Sequence, residues 1–287
     1  MSAPRAAAPR PALVRLLIAL AIVVPVFVAQ IAVWKLRPTL GALPTGLLSA
    51  VIASIGGWAA YVAYVHRFER RAALELAGPG AARELGAGIA IGVGAFAASI
   101  GILALLGVYR AVGVGPLLPV AMAFLMAIAS GTIEEIVFRG VLFRLVEEWG
   151  GTWTALAVSS LLFGLGHLVN PHATALGAIA IVFEGGILLA GAYLVTRRLW
   201  LPIGVHAGWN FAEAGIFGVP TSGAPTHGVL LGELTGPEWL SGGIFGPEAS
   251  IVAVLVCVGV GSALLLRAAR KQRFVAARRS ERPAPLA

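Results

Sequence analysis

The sequence predicts an all-α, polytopic transmembrane bundle of about eight spans with both termini in the cytoplasm. Three observations predict it. Of 287 residues, 59% are hydrophobic and only 12% are charged, where a soluble domain carries about 25% charged residues. So few charges cannot cover a water-soluble surface of this size, and the mean hydropathy of +0.91 agrees. The apolar residues gather in runs of about 20, the length that crosses a hydrocarbon core of roughly 30 Å. The basic residues gather in short segments between those runs and at the C-terminal end.

The first apolar run, 12–34, is too long for the apolar region of a signal peptide and lacks a small-residue cleavage site, so it reads as a retained span. Runs at 42–64 and 86–108 follow. The latter carries Gly88 and Gly92, a small-xxx-small pair suited to close helix packing. Further runs lie at 116–137, 153–170, 173–195, 200–218 and 250–267, of which 153–170 and 200–218 are the least purely apolar. The segment 219–249 is rich in Gly and Pro and holds Glu233, Glu238 and Glu248 but no Lys or Arg. It reads as an external loop with an interfacial piece around Trp239. The tail 268–287 is basic, ends in Pro-rich sequence, and reads as disordered and drawn to anionic lipid.

Orientation follows from Lys and Arg. With the N-terminus inside, only Lys35, Arg37 and Arg110 fall outside. The rest fall inside, among them Arg67, Arg70, Arg71, Arg83, Arg139, Arg144, Arg197 and Arg198. The net charge of +8 therefore belongs to cytoplasmic loops and to membrane lipids as partners, not to nucleic acid. An integral, multi-pass protein of the cell (plasma or inner) membrane is expected. The single Cys257 excludes an internal disulfide framework and a Cys-rich metal site.

Ionisable groups inside a bilayer are costly and are functional suspects by default. Here they gather in the middle of the chain. Glu134 and Glu135 are adjacent and point about 100° apart on a helix. Glu135 and Arg139 stand at i,i+4 and can pair on one face, which leaves Glu134 aimed at another helix. His167 closes Phe163-Gly-Leu-Gly-His167. His206 and Asn210, again at i,i+4, share a face of the run 200–218. Each of these also suits plain packing: a glutamate pair among headgroups, a hydrogen-bonded core histidine, an interhelical polar pair. Together they supply a base, an imidazole partner and oxyanion donors. There is no His-Glu-x-x-His helix and no Gly-x-Ser-x-Gly elbow. Glu184 and Glu213 are further acids within apolar runs, and Glu184 suits either a cavity wall or a structural role.

Taken in order, Glu134-Glu135-x-x-x-Arg139, Phe163-x-x-x-His167 and His206-x-x-x-Asn210 resemble the motif series of the CPBP intramembrane proteases. These include CAAX prenyl endopeptidases of the Rce1 type and bacteriocin self-immunity proteins. The flanks Phe138-Arg139-Gly140 and Thr196-Arg197-Arg198-Leu199-Trp200-Leu201-Pro202 are similar too. The resemblance covers roughly 115–215; each motif is short, but the ordered set on successive spans is specific. It divides the chain into three N-terminal spans (1–114), a CPBP-like core of four spans (115–218), the loop 219–249, the last span 250–267 and the tail 268–287.

The resemblance implies an endopeptidase with Glu134 as the base that activates water and His167 sharing or orienting that water. His206 and Asn210 would stabilise the oxyanion, Glu135 would hold Arg139 and shape the site, and Phe163 would support it. The family has been described both as metalloproteases and as glutamate proteases. Glu134, His167 and His206 make a His₂Glu set, a catalytic zinc composition. The metal-free reading is favoured, because Asn210 beside His206 suits an oxyanion pair and zinc would not need the second Glu. The implied substrate is a peptide or membrane protein, lipidated substrates among the candidates. Eukaryotic relatives cleave after a prenylated Cys; bacteriocin immunity and peptide maturation follow by analogy alone. The predicted topology sets His167 nearer the outer side than Glu134 and His206.

Two other classes compete. A proton-coupled transporter would use buried Glu and His as a relay. Transporters commonly repeat their broken helices in both halves, whereas here the polar residues fall in spans four to seven alone. A catalytically silent scaffold would keep the fold without the reaction.

Overall fold

The computed structural model describes residues 11–277. The chain is helical in each of the eight predicted apolar runs, and six helices are long and apolar enough to cross a membrane. It is a multi-pass membrane protein. α1 (Ala12–Leu40) and α2 (Ala42–Glu69) meet at Gly41. α3 (Ala81–Leu105) leads into β1 (Tyr109–Val114). α4 is a run of 53 residues, Leu117–Val169, followed by α5 (Ala175–Thr196). α6 spans Trp200–Phe211 and continues as a π-helical stretch, Ala212–Phe217. Then come β2 (Leu230–Leu234), the single turn α7 (Glu238–Ser241) and α8 (Ile251–Arg270).

That eight apolar runs give six candidate spanning helices by length and composition has two physical causes. The runs expected at 116–137 and 153–170 belong to one helical run with no loop between them, turned at Gly151 (φ 76°, ψ 172°). That conformation is open to glycine and strained for other residues. The run expected at 200–218 is helical but falls short in hydropathy, because it carries His206, Asn210 and Glu213. Absence of a loop at 138–152 also corrects Arg139, which is not a basic loop residue but is wholly buried.

α5 is the central helix, 72% buried along its most apolar window. α8 and the second half of α4 pack along it, and α6 packs along α3 and the first half of α4. The α3–α6 crossing is close because glycines face each other. A Cβ on Gly88 would lie 2.9 Å from Gly204 Cα, and one on Gly208 would lie 2.9 Å from Ile89 Cα. The pair Gly88 and Gly92 thus meets a second small-xxx-small pair, Gly204 and Gly208, and the helix backbones touch.

One end of the bundle is tied by ions. Glu69 at the end of α2 accepts from Arg144 Nη2 (2.8 Å), Arg71 Nε (2.7 Å) and the Tyr64 hydroxyl (2.8 Å), and Arg15 bridges Glu69 and Glu148. Arg197 pairs with Glu147.

Two segments differ from expectation. The stretch 219–249 is not simply an external loop. β2 pairs antiparallel with β1, Tyr109 opposite Leu234 and Val114 opposite Leu230. Glu248 is 5% exposed and accepts from Ser222 N and Oγ, both at 2.7 Å. Burial raises the Tyr109 phenol above its ordinary pKa, and its hydroxyl donates to Phe217 O at 3.1 Å. The described part of the tail, 268–277, packs on the bundle. Thr152 N donates to Val275 O (2.9 Å), Val275 N to Thr152 Oγ1 (2.8 Å), and Phe274 lies on Trp153. The lipid-drawn tail expected for 268–287 falls partly outside the described residues, as do the basic residues Arg5, Arg10, Arg278, Arg279 and Arg282.

Candidate functional site

The polar side chains of α4 and α6, with the backbone carbonyl of Gly185 from α5, meet where α4 and α6 come together. Gly131 allows it: a Cβ there would lie 2.9 Å from Ala207 N. One turn later α4 presents Glu134 and Glu135, and the helix then widens into a π-helical stretch, Ile136–Phe143, that carries Arg139. Such widenings recur at functional sites, where they re-aim side chains.

Glu135 and Arg139 are both 0% exposed and pair at 2.9 Å. The guanidinium also donates to Gly185 O of α5 (2.9 Å) and lies over the Phe163 ring at 4.7 Å from its centroid. Two charges inside a bundle demand such partners, because either one alone would carry its full desolvation cost. The carboxylate Oε1 of Glu135 is also 3.0 Å from His206 Nδ1. A carboxylate only accepts, so Nδ1 carries a proton and Nε2 is the nitrogen turned toward Glu134.

His206 Nε2 faces Glu134 Oε2 at 3.8 Å, beyond direct hydrogen-bond length and suited to an intervening water. Glu134 keeps 16% of its side chain exposed, against 0% for Glu135. The two adjacent acids thus have opposite situations: one is locked by a cation, the other is open.

Phe163 joins the second half of α4 to the site. Its ring is edge-on to Phe138 (5.0 Å) and His206 (5.9 Å), and 4.9 Å from the His167 ring. His167, at the C-terminal end of this helix, turns Nδ1 onto Phe163 O at 2.8 Å. A carbonyl accepts, so Nε2 is the free nitrogen of His167. His167 therefore reaches the cluster through one aromatic ring, although it follows the break at Gly151. Asn210, one turn beyond His206, donates from Nδ2 to Ser130 Oγ at 3.0 Å.

Glu134, Glu135, Arg139, Phe163 and His206 form one contiguous cluster; His167 joins it through Phe163 and Asn210 through α6. Three participants are not apparent in the motifs: Gly185, Ser130 and Ile136–Phe143 as a widened stretch. Ser130 lies at i−4 from Glu134, and that spacing was readable. Glu184 and Glu213 are buried at 3% and 0%, apart from this cluster, and are joined by Glu248, to which Trp209 Nε1 donates at 3.4 Å. Sequence reasoning missed Glu248 because its segment reads as a loop.

Among the described residues no three His, Cys or Glu side chains form a metal-holding group. Nδ1 of His206 is engaged by Glu135, which leaves Nε2 as the nitrogen of that ring able to take a metal or a proton.

An apolar cavity of about 510 Å³ lies along α4 and α6, walled by Trp58, Ile89, Phe124, Ile136, Trp200 and Phe211. Ala207 and Gly208, next to His206, line it too.

Residues 116–212 match a family model described as type II CAAX prenyl endopeptidase Rce1-like. Among curated proteins, the chain is similar to "Putative membrane peptidase YdiL" of Bacillus subtilis (strain 168). The two are 29% identical over 124 residues, 43% of this chain and 46% of that relative. The match thus spans less than half the length of the relative. No solved structure matches.

Proposed function

Because residues 116–212 are Rce1-like and hold every residue of the cluster, we propose that the protein is an intramembrane endopeptidase of the cell membrane using water activated by Glu134. The observation that carries this reading is the asymmetry of the two acids. Glu135 is spent on Arg139 and His206, whereas Glu134 is open and faces His206 Nε2 across 3.8 Å.

In this reading a water sits between Glu134 and His206, with His167 Nε2 as its third neighbour. Glu134 takes a proton from the water, and the hydroxide adds to the scissile carbonyl carbon. His206 in its imidazolium form, with Nδ1–H on Glu135 and Nε2–H toward the site, and Asn210 donate hydrogen bonds to the oxyanion, a type of stabilisation that supplies much of the rate in acyl transfer. Glu134 then returns the proton to the leaving amine as the C–N bond breaks, so the base ends unprotonated and ready for another water. Arg139 and Phe163 keep Glu135 and His206 in place. The substrate is a peptide or a membrane protein, and the apolar cavity along α6 suits an apolar side chain or a lipid group on it. No step runs through a metal. This is a mechanism of Glu, His and Asn side chains alone.

The test is cleavage of an internally quenched peptide library by purified protein in detergent, beside Glu134→Ala and His167→Ala, with and without chelator. Loss of cleavage by at least about 100-fold in Glu134→Ala, a matching loss in His167→Ala, and retention in chelator is the expected result. Cleavage abolished by chelator and restored by zinc overturns the metal-free mechanism. Cleavage untouched by both substitutions overturns the site.

A further inference from the structure

The Ser130–Asn210 contact carries an inference about how the site is oriented. A serine hydroxyl has one proton. Ser130 Oγ donates it to Met126 O, one turn back on α4, at 3.0 Å. With that proton on Met126 O the hydroxyl accepts toward Asn210, and the group facing it at 3.0 Å is the NH₂ of the carboxamide. An amide flipped by 180° would set a carbonyl oxygen against an oxygen lone pair. The Ser130–Met126 bond thus favours one of two amide rotamers that are otherwise nearly equal in shape. It also leaves the second N–H of the same NH₂ group free.

We propose that Ser130 is a positioning residue that holds the Asn210 carboxamide with its second N–H, rather than its carbonyl, available to a developing negative charge. Its consequence for catalysis rests on the peptidase reading; the orientation itself does not. Ser130 stands at i−4 from Glu134 and Asn210 at i+4 from His206, so the base and the ring each have a polar neighbour one turn away on their own helix. The hydrogen bond between those two neighbours fixes the register of α4 against α6 at the site. A Ser130→Ala chain keeps the helices but lets the amide turn, and the flipped rotamer repels an oxyanion.

Two readouts test this. The chain holds only two asparagines, Asn170 and Asn210. Asparagine labelled with ¹⁵N at the side chain therefore gives two NH₂ signals, assigned by Asn170→Ser. In full-length protein in micelles, Ser130→Ala should move the Asn210 pair and speed its exchange with water several-fold, while Ser130→Thr should leave both near wild type. With the peptide library, Ser130→Ala should lower kcat roughly 3- to 10-fold at little change in KM, the range expected for one lost hydrogen bond. Asn210→Ala should lower kcat on the order of 100-fold, and Ser130→Ala added to it should cost nothing further. An unmoved Asn210 signal in Ser130→Ala overturns the orientation. A moved signal with unchanged kcat, or equal losses in both backgrounds, overturns the positioning role. If wild type shows no Glu134-dependent cleavage, the peptidase reading fails, and the labelled amide still decides whether Ser130 sets the rotamer.

Discussion

Arg139 is the most constrained residue of the site. It is wholly buried and satisfies Glu135, Gly185 O and the Phe163 face at once. Removing one member of a buried ion pair costs about 3–5 kcal/mol, because the other charge stays behind, whereas replacing both by apolar groups can be nearly neutral. Arg139→Met should therefore unfold at clearly lower temperature in detergent and lose cleavage. Arg139→Met with Glu135→Leu should regain much of the thermal stability without regaining cleavage, since His206 Nδ1 would then lack its anchor. Recovery of both properties in the double variant would show that Glu135 does not orient the ring. The Glu135–Arg139 pair was legible because i,i+4 spacing between opposite charges has one meaning on a helix. Ser130 stands at the same spacing from Glu134 but carries no such signal, since a serine in an apolar helix is common and its value appears only when Asn210 arrives from another helix.

Helix packing decides whether these residues meet at all. α6 carries His206 and Asn210, and its depth in the bundle is set by the glycine contact with α3. A Cβ on Gly204 would lie 3.0 Å from Gly88 Cα and from Ile89 N, whereas Gly94 and Gly101 of α3 have nothing within 4 Å of such a carbon. Gly204→Ala must push the helices apart, at a cost of roughly 1–3 kcal/mol. Gly94→Ala and Gly101→Ala gain helix propensity instead, up to about 1 kcal/mol each. Thermal unfolding should thus fall for the first variant and hold or rise for the other two, and cleavage should fall only for the first. Equal effects at the three positions would remove the close crossing as the device that seats α6. The sequence displayed Gly88 and Gly92, but Gly204 and Gly208 are interleaved with the polar motif residues and their packing role is masked by them. The same interleaving lowers the hydropathy of this helix, so that an apolar run visible by eye is not a spanning helix by length and composition. The break at Gly151 was hidden for the opposite reason. A lone Gly-Gly step between apolar runs looks like a loop, yet here helix continues on both sides of it.

Across the whole molecule, the part least legible beforehand is how 219–249 closes onto the bundle. Composition describes a Gly- and Pro-rich connection, but composition is silent about long-range pairing, which β1 and β2 make across more than a hundred residues. Glu248 is the deepest tie. It sits 5% exposed and accepts from Ser222 N and Oγ and from Trp209 Nε1, the residue before Asn210. Glu248→Ala leaves those donors unsatisfied, at roughly 1.5–3 kcal/mol for a hydrogen bond to a charged group, and it frees the segment from α6. In limited proteolysis of the protein in micelles, new cuts should appear within 219–249 while α1 to α5 stay intact. Tryptophan emission should shift as Trp209 loses its partner. The ionic end of the bundle around Glu69 and Arg144 is remote in the chain and should not respond. A Glu248→Ala protein as resistant as wild type would mean that the two-stranded ribbon alone holds the segment down, and that the carboxylate beside Trp209 has no part in closing it.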